Sequence, residues 1–296
     1  MKAKILILTA LLSMAFFSCT KDETTTENQQ AITTEEAAIN AKIDIANDDI
    51  SDIVAEQEGK TYADNTNGRS IDSPTSALSS CATITRVPAF GTPITPGTTV
   101  TKTIDFGDGC TLANGNVLKG KIIISFVYQP NATSHTINYE FVNFYHNQIK
   151  FNGNKSFTRT MSAATSNTPS LPVITMTMDM TATFPDGATI RRVGQRVREF
   201  VSGYGDDNWA NNIYKVTGSW TTTFPNSSVQ TATISADNPL IIKMSCAALH
   251  KPLLVQGLIT FTRNNHTATL NYGNGECDNI AILTIDGVEF TIVIGN

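Results

Sequence analysis

The sequence lacks the signatures of the common enzyme classes. No Gly-x-Ser-x-Gly elbow is present, which disfavours a serine hydrolase of the usual kind. Asp105-Phe106-Gly107 spells a kinase metal tripeptide, but no glycine-rich loop, lysine strand or catalytic-loop pattern accompanies it. The four histidines, His135, His146, His250 and His266, are scattered without a His-x-x-x-His pair or a cysteine partner, so no zinc site is expected. A net basic body is missing too: residues 81–296 carry 13 acids against 15 bases, too near neutral for phosphate binding, which argues against nucleic acid. Nor does any apolar run reach the roughly 20 residues that a spanning helix needs. No catalytic residue, metal ligand or cofactor site is therefore assigned.

What is present begins at the N-terminus. Lys2 and Lys4 precede an apolar run over residues 5–17, and Ser18-Cys19 closes it, the three-part order of a secretory signal. Ser18-Cys19 resembles the lipobox of bacterial lipoproteins, which implies that residues 1–18 are removed and that Cys19 carries the lipid. Lys21-Asp22-Glu23 is similar to the surface-export signal of Bacteroidota lipoproteins. The expected location is the outer membrane, anchored by lipid and facing the cell exterior, with the periplasm-facing leaflet as the alternative.

Residues 19–32 read as a disordered polar tether, having nothing to bury. From Thr33 a capping box with Glu36 and apolar residues at helical spacing (Ile39, Ile43, Ala46, Ile50, Ile53, Val54) predict one amphipathic helix over 33–59. Asp44, Asp48, Asp49, Asp52 and Glu56 are expected on its solvated face. Residues 20–80 hold 13 acids against four bases, so the formal acidity is assigned to the tether region. A Thr/Asn/Gly/Ser/Pro-rich linker over 60–80 places a domain boundary near Ser80.

From Cys81 onward the chain alternates in strand-like segments rich in Thr, Val, Ile, Phe and Tyr, separated by hairpin material such as Pro185-Asp186-Gly187, Asn264-Asn265 and Asp286-Gly287. About 13 strands are predicted over 81–296. The fold class is all-β: an antiparallel meander forming a curved sheet or barrel-like sandwich, preceded by the helix and linkers. In residues 172–184, Ile174, Met176, Met178, Met180, Ala182 and Phe184 share one face.

Ile104-Asp105-Phe106-Gly107-Asp108-Gly109-Cys110 is echoed by Leu270-Asn271-Tyr272-Gly273-Asn274-Gly275-Glu276-Cys277, each with a second cysteine 29 or 31 residues upstream. In an exported chain these four cysteines form two disulfides, and of three connectivities the parallel spacing favours Cys81–Cys110 and Cys246–Cys277. Each closes a loop worth about 3.5 kcal/mol in the chain-entropy model. The glycines before each second cysteine are expected at positive φ. From signal through Thr-rich meander to the terminal Tyr-Gly-x-Gly-x-Cys-Asp-Asn and Ile-Asp-Gly, the chain resembles a family of Bacteroidota outer-membrane and surface lipoproteins. That resemblance implies compartment and fold class and carries no activity.

Two stretches suggest a ligand. Arg192, Arg196 and Arg198 share one face of a strand, a basic stripe suited to an acidic glycan or lipid phosphate, or else paired with acids of neighbouring strands such as Asp179. The loop from Tyr204 to Asn212 offers Asp206, Asp207 and Trp209 among three amides, suited to calcium or a sugar ring, or else to plain turn formation. The expected function is a lipid-anchored envelope protein with a non-catalytic β-domain that binds a glycan or an envelope partner. The alternatives are an envelope hydrolase using strand-borne carboxylates among Asp105, Glu140, Asp179, Glu199 and Glu289, and an accessory that binds through an exposed sheet edge.

Overall fold

The structure is a computed structural model that describes residues 31–67, 78, 80–166, 169–205 and 208–294. The expected signal 1–18, the expected anchor Cys19, most of the expected tether, much of the 60–80 segment, Asp206 and Asp207 lie outside those residues.

Among the described residues one α-helix, α1 (Thr34–Asn67), precedes fifteen strands. In the first half these are β1 (Thr83–Val87), β2 (Thr99–Asp105), β3 (Cys110–Thr111), β4 (Val117–Val127), β5 (Ser134–His146), β6 (Ile149–Met161) and β7 (Pro172–Thr183). In the second they are β8 (Thr189–Ser202), β9 (Ile213–Thr223), β10 (Val229–Ile234), β11 (Leu240–Lys243), β12 (Leu254–Arg263), β13 (His266–Asn274), β14 (Ile280–Ile285) and β15 (Val288–Val293). All belong to one antiparallel sheet in which neighbours in sequence are neighbours in space. Two short breaks modify the meander: β3 pairs only with β4, and β10 and β11 share one position between β9 and β12.

The all-β meander is thus as the alternation predicts, with β1 and β3 as the additional strands. The helix is placed differently from expectation. It starts with the predicted capping box, Glu36 N–H donating to Thr33 Oγ1 and Thr33 N–H to Glu36 Oε2, both at 3.2 Å. It then runs on to Asn67, past the expected end at 59. From Ile43 to Val54 every residue is buried, apolar and polar alike. Side chains of β2, β5, β6, β8, β10 and β12 all reach it, so the sheet curves around the helix as its axis. Helix residues and strand residues share the same core clusters.

The core forms on both sides of this axis. Ile43, Ile50, Ile53 and Val54 join the inward faces of β2 to β8, while Ala37, Ala41 and Ile45 join those of β9 to β15. Full burial of each large aliphatic contributes roughly 1.5–3 kcal/mol. Strand β7 shows the pleat well: Ile174, Met176, Met178, Met180 and Ala182 point inward, as the alternation requires.

Both disulfides join the partners that the spacing favours, Cys81 to Cys110 and Cys246 to Cys277. The turn geometry matches only in part. Gly107, Gly273 and Gly275 have positive φ, whereas Gly109 does not, so the two units are not identical.

Candidate functional site

The basic stripe of β8 and the acids of α1 meet. Arg192, Arg196 and Arg198 alternate with outward residues and so point to the inner face, where they are 1%, 0% and 2% exposed. Asp44, Asp48 and Asp52 recur every fourth residue along one side of α1 and face them. Asp44 accepts from both Arg192 Nη1 and Arg196 Nη2, Arg196 Nη1 lies 3.7 Å from Asp48, and Arg198 Nη2 pairs with Asp52. Aromatic faces complete the surroundings. Arg196 stacks over Trp220 at 4.1 Å and Arg198 over Tyr214 at 3.5 Å. Gly194 makes this possible, because the backbone of Trp220 passes where a side chain would stand.

Two expectations are therefore corrected. Asp44, Asp48, Asp49 and Asp52 are buried rather than solvated, and the acidity between 33 and 59 belongs to the folded body, not to the tether. The stripe Arg192, Arg196 and Arg198 is no surface for an external anion: helix carboxylates neutralise it. Asp179 instead pairs with Arg191 on the outer face, where both are more than half exposed.

Further polar contacts tie the helix to other strands. Asp49 accepts from Asn114 Nδ2 at 2.7 Å and Asn116 Nδ2 at 2.8 Å, and its Oδ2 lies 2.7 Å from His146 Nε2. The Cys81–Cys110 bridge anchors the loop that delivers these asparagines. Lys155 donates to Asn47 Oδ1, Lys102 Nζ to Gln57 O at 2.6 Å, and Glu58 meets His135 and Arg159. Burial pushes the Asp48 carboxyl up to about 6 and that of Asp52 up to about 7, the facing arginines offsetting only part of the cost. Burial likewise brings the Lys155 ammonium down to about 7.

The second sequence-named stretch also turns inward in part. Trp209 is half-buried and packs against both core clusters, so its ring is not a free platform for a sugar. It lines, with Asp49 and Asp52, a void of about 10 Å³. A space of that size holds at most one water, so these two carboxylates have no room for a substrate. Tyr204 accepts a hydrogen bond from Arg159 Nη2 at 3.0 Å.

Three of the five strand-borne acids are each paired with a cation of a neighbouring strand. Asp105 pairs with Lys121 at 2.8 Å, Glu199 with Lys215 at 3.2 Å and Asp179 with Arg191, each with the partner strand beside it. Among the described residues no group of three or more His, Cys, Asp or Glu side chains is placed to hold a metal ion.

A larger cavity of about 240 Å³ opens beside the helix, between α1, the β5–β6 turn and the β7–β8 turn. Lys42, Ile45, Asn116, His146, Asn147, Gln148, Ile149, Phe184 and Pro185 line it. Asn147 sits at positive φ in the tight turn joining β5 and β6, and its side chain braces the wall: Oδ1 accepts from Val117 N and Nδ2 donates to Asn116 Oδ1. His146 is fixed by Asp49. None of these residues was singled out from sequence as a site. The turn dipeptide Asn147-Gln148 gives no ligand signal by itself, and Lys42 looks like any helix lysine until the sheet folds around it. Neither a protein-family model, nor a curated protein, nor a solved structure matches the chain. Function must accordingly be argued from this geometry.

Proposed function

We propose that the chain is a lipid-anchored envelope protein, held at the cell surface through Cys19, whose β-domain binds a small polar ligand such as a glycan residue without transforming it. The observation that carries this reading is the contrast between two sets of polar groups. Asp44, Asp49 and Asp52 meet the arginines, amides and histidine around them, whereas the 240 Å³ cavity sets an exposed lysine and an exposed carboxamide, Lys42 and Gln148, beside apolar walls. Binding pockets combine apolar walls with a few placed polar groups; here four apolar residues stand beside five polar ones, in a volume below the roughly 300 Å³ at which drug-sized sites begin. A single sugar ring suits it better than a longer chain.

The signal sequence and Ser18-Cys19 support the anchor, and Lys21-Asp22-Glu23 supports exposure at the surface. Protease treatment of intact cells checks that exposure, since a periplasm-facing protein survives it. For binding, the full chain is applied to an array of glycans beside a Gln148→Trp variant, whose indole occupies the exposed mouth of the cavity. Retention by the wild type and loss by the variant is the expected result. Release of new reducing ends from a bound glycan would contradict the non-catalytic reading, and equal retention by both proteins would move the site elsewhere.

A further inference from the structure

Resting on the binding reading above, we infer that the cavity beside α1 takes an acidic monosaccharide, a ring of uronic-acid type, with Lys42 as the cation that recognises its carboxylate. Lys42 is the one lysine or arginine in the lining, where it is exposed, while the lining's histidine, His146, is turned to Asp49. Its helical neighbours at three and four residues' distance are Ala38, Ile39, Ile45 and Ala46, so no acid on its own helix neutralises it. No salt bridge joins it to any described residue. The nearby acids are engaged elsewhere. Asp49, behind His146, already meets two amides and the imidazole, and Asp186, next to Pro185, accepts from Ala188 N at 2.9 Å to hold its turn.

The other walls supply what a sugar ring needs besides charge. Gln148 is exposed at the rim with a carboxamide suited to hydroxyl groups, which accept and donate in turn. Ile45, Ile149, Phe184 and Pro185 form the apolar side, against which the C–H face of a ring packs. Removing Lys42 should cost a charge-assisted hydrogen bond, about tenfold or more in affinity. A lysine also binds as a point charge on a flexible stem, so neighbouring carboxylate positions on the ring remain tolerated.

The test is calorimetric or saturation-transfer titration of the full chain with D-glucuronate and with D-glucose, repeated for Lys42→Gln. Lys42 is exposed and forms no salt bridge with any described residue, so this variant keeps the fold. Expected are tighter binding of glucuronate than of glucose, a drop of about tenfold for glucuronate in Lys42→Gln, and little change for glucose. Equal affinity for both sugars, or no effect of Lys42→Gln on glucuronate, overturns the acidic-ligand inference while leaving the cavity a sugar site. No binding of either sugar by the wild type overturns the inference together with the sugar-site reading on which it rests.

Discussion

Replacing Asp44 by Asn is the most informative single change in the interior. The side chain keeps its shape, so packing is preserved and the change is one of charge. Asp44 is fully buried and serves two guanidiniums, Arg192 and Arg196, which are themselves buried. Of the two, only Arg196 has a second carboxylate near, Asp48 at 3.7 Å. Arg192 retains the Asn40 oxygen at 2.5 Å and the face of Trp220 at 5.0 Å, neither of them an anion. Removing one partner of a buried ion pair typically costs about 3–5 kcal/mol, because the remaining charge is stranded without solvent. Against a total stability of about 5–15 kcal/mol this is a large fraction. For a domain of this size it corresponds to a fall in Tm of roughly 6–20 °C. Urea denaturation of the full chain, followed by circular dichroism, reads the difference directly. Asp179→Asn is the control, since its pair with Arg191 is exposed and such pairs contribute little that is measurable. If Asp44→Asn unfolds at the same urea concentration as Asp179→Asn, the ladder between α1 and β8 does not hold the helix as described.

Four further outcomes are expected. Because burial raises the Asp48 and Asp52 pKa values, the folded state holds protons that the unfolded chain releases near pH 4; their contribution is fully present below about pH 4 and lost as pH rises through 6 and 7. Stability measured against pH should therefore decline less steeply over that window in Asp48→Asn than in the wild type, and an unchanged slope would count against it. Gly194→Ala places a methyl group 2.4 Å from Trp220 Cα and from Ser219 O, so it should force β8 and β9 apart and lower the urea midpoint, whereas an unaffected midpoint means the strands are not so close. Peptide mapping without reductant should recover Cys81 with Cys110 and Cys246 with Cys277, and removing either bridge should cost about 3.5 kcal/mol in the chain-entropy model. Cys19→Ala should abolish lipid labelling and release the chain from the membrane fraction, and persistence there with labelling intact would contradict the anchor.

Much of this fold is legible in the sequence. The period of two in residues 172–184 names the inward face of β7 residue by residue, and the Thr33/Glu36 box marks the first turn of the helix. The two cysteine spacings name both disulfides. What is not legible is where the helix goes. A helix buried on every side is ordinarily apolar on every side, so a face bearing Asp44, Asp48 and Asp52 reads as solvated. Only a matching inner face changes that, and the match lies about 150 residues away in Arg192, Arg196 and Arg198. Taken alone, the acids read as a solvated helix face and the arginines as a ligand-facing or strand-paired stripe. Two like-charged rows of opposite sign, one at helical and one at strand period, are the signal that joins them. The cavity is harder still to foresee, since Lys42, Gln148 and Phe184 come from three separate elements and become neighbours only when the sheet closes on α1.

Amide hydrogen exchange along α1 tests the central claim, that the helix is the core of the sheet rather than an appendage on it. Residues 43–54, buried on all sides and bound through Asp44, Asn47, Asp48, Asp49 and Asp52, should exchange only through global unfolding, as slowly as the central strands β6 to β9. Exchange of those amides through a low-energy local opening, while β6 to β9 stay protected, would show that the sheet stands without its helix and would contradict the account.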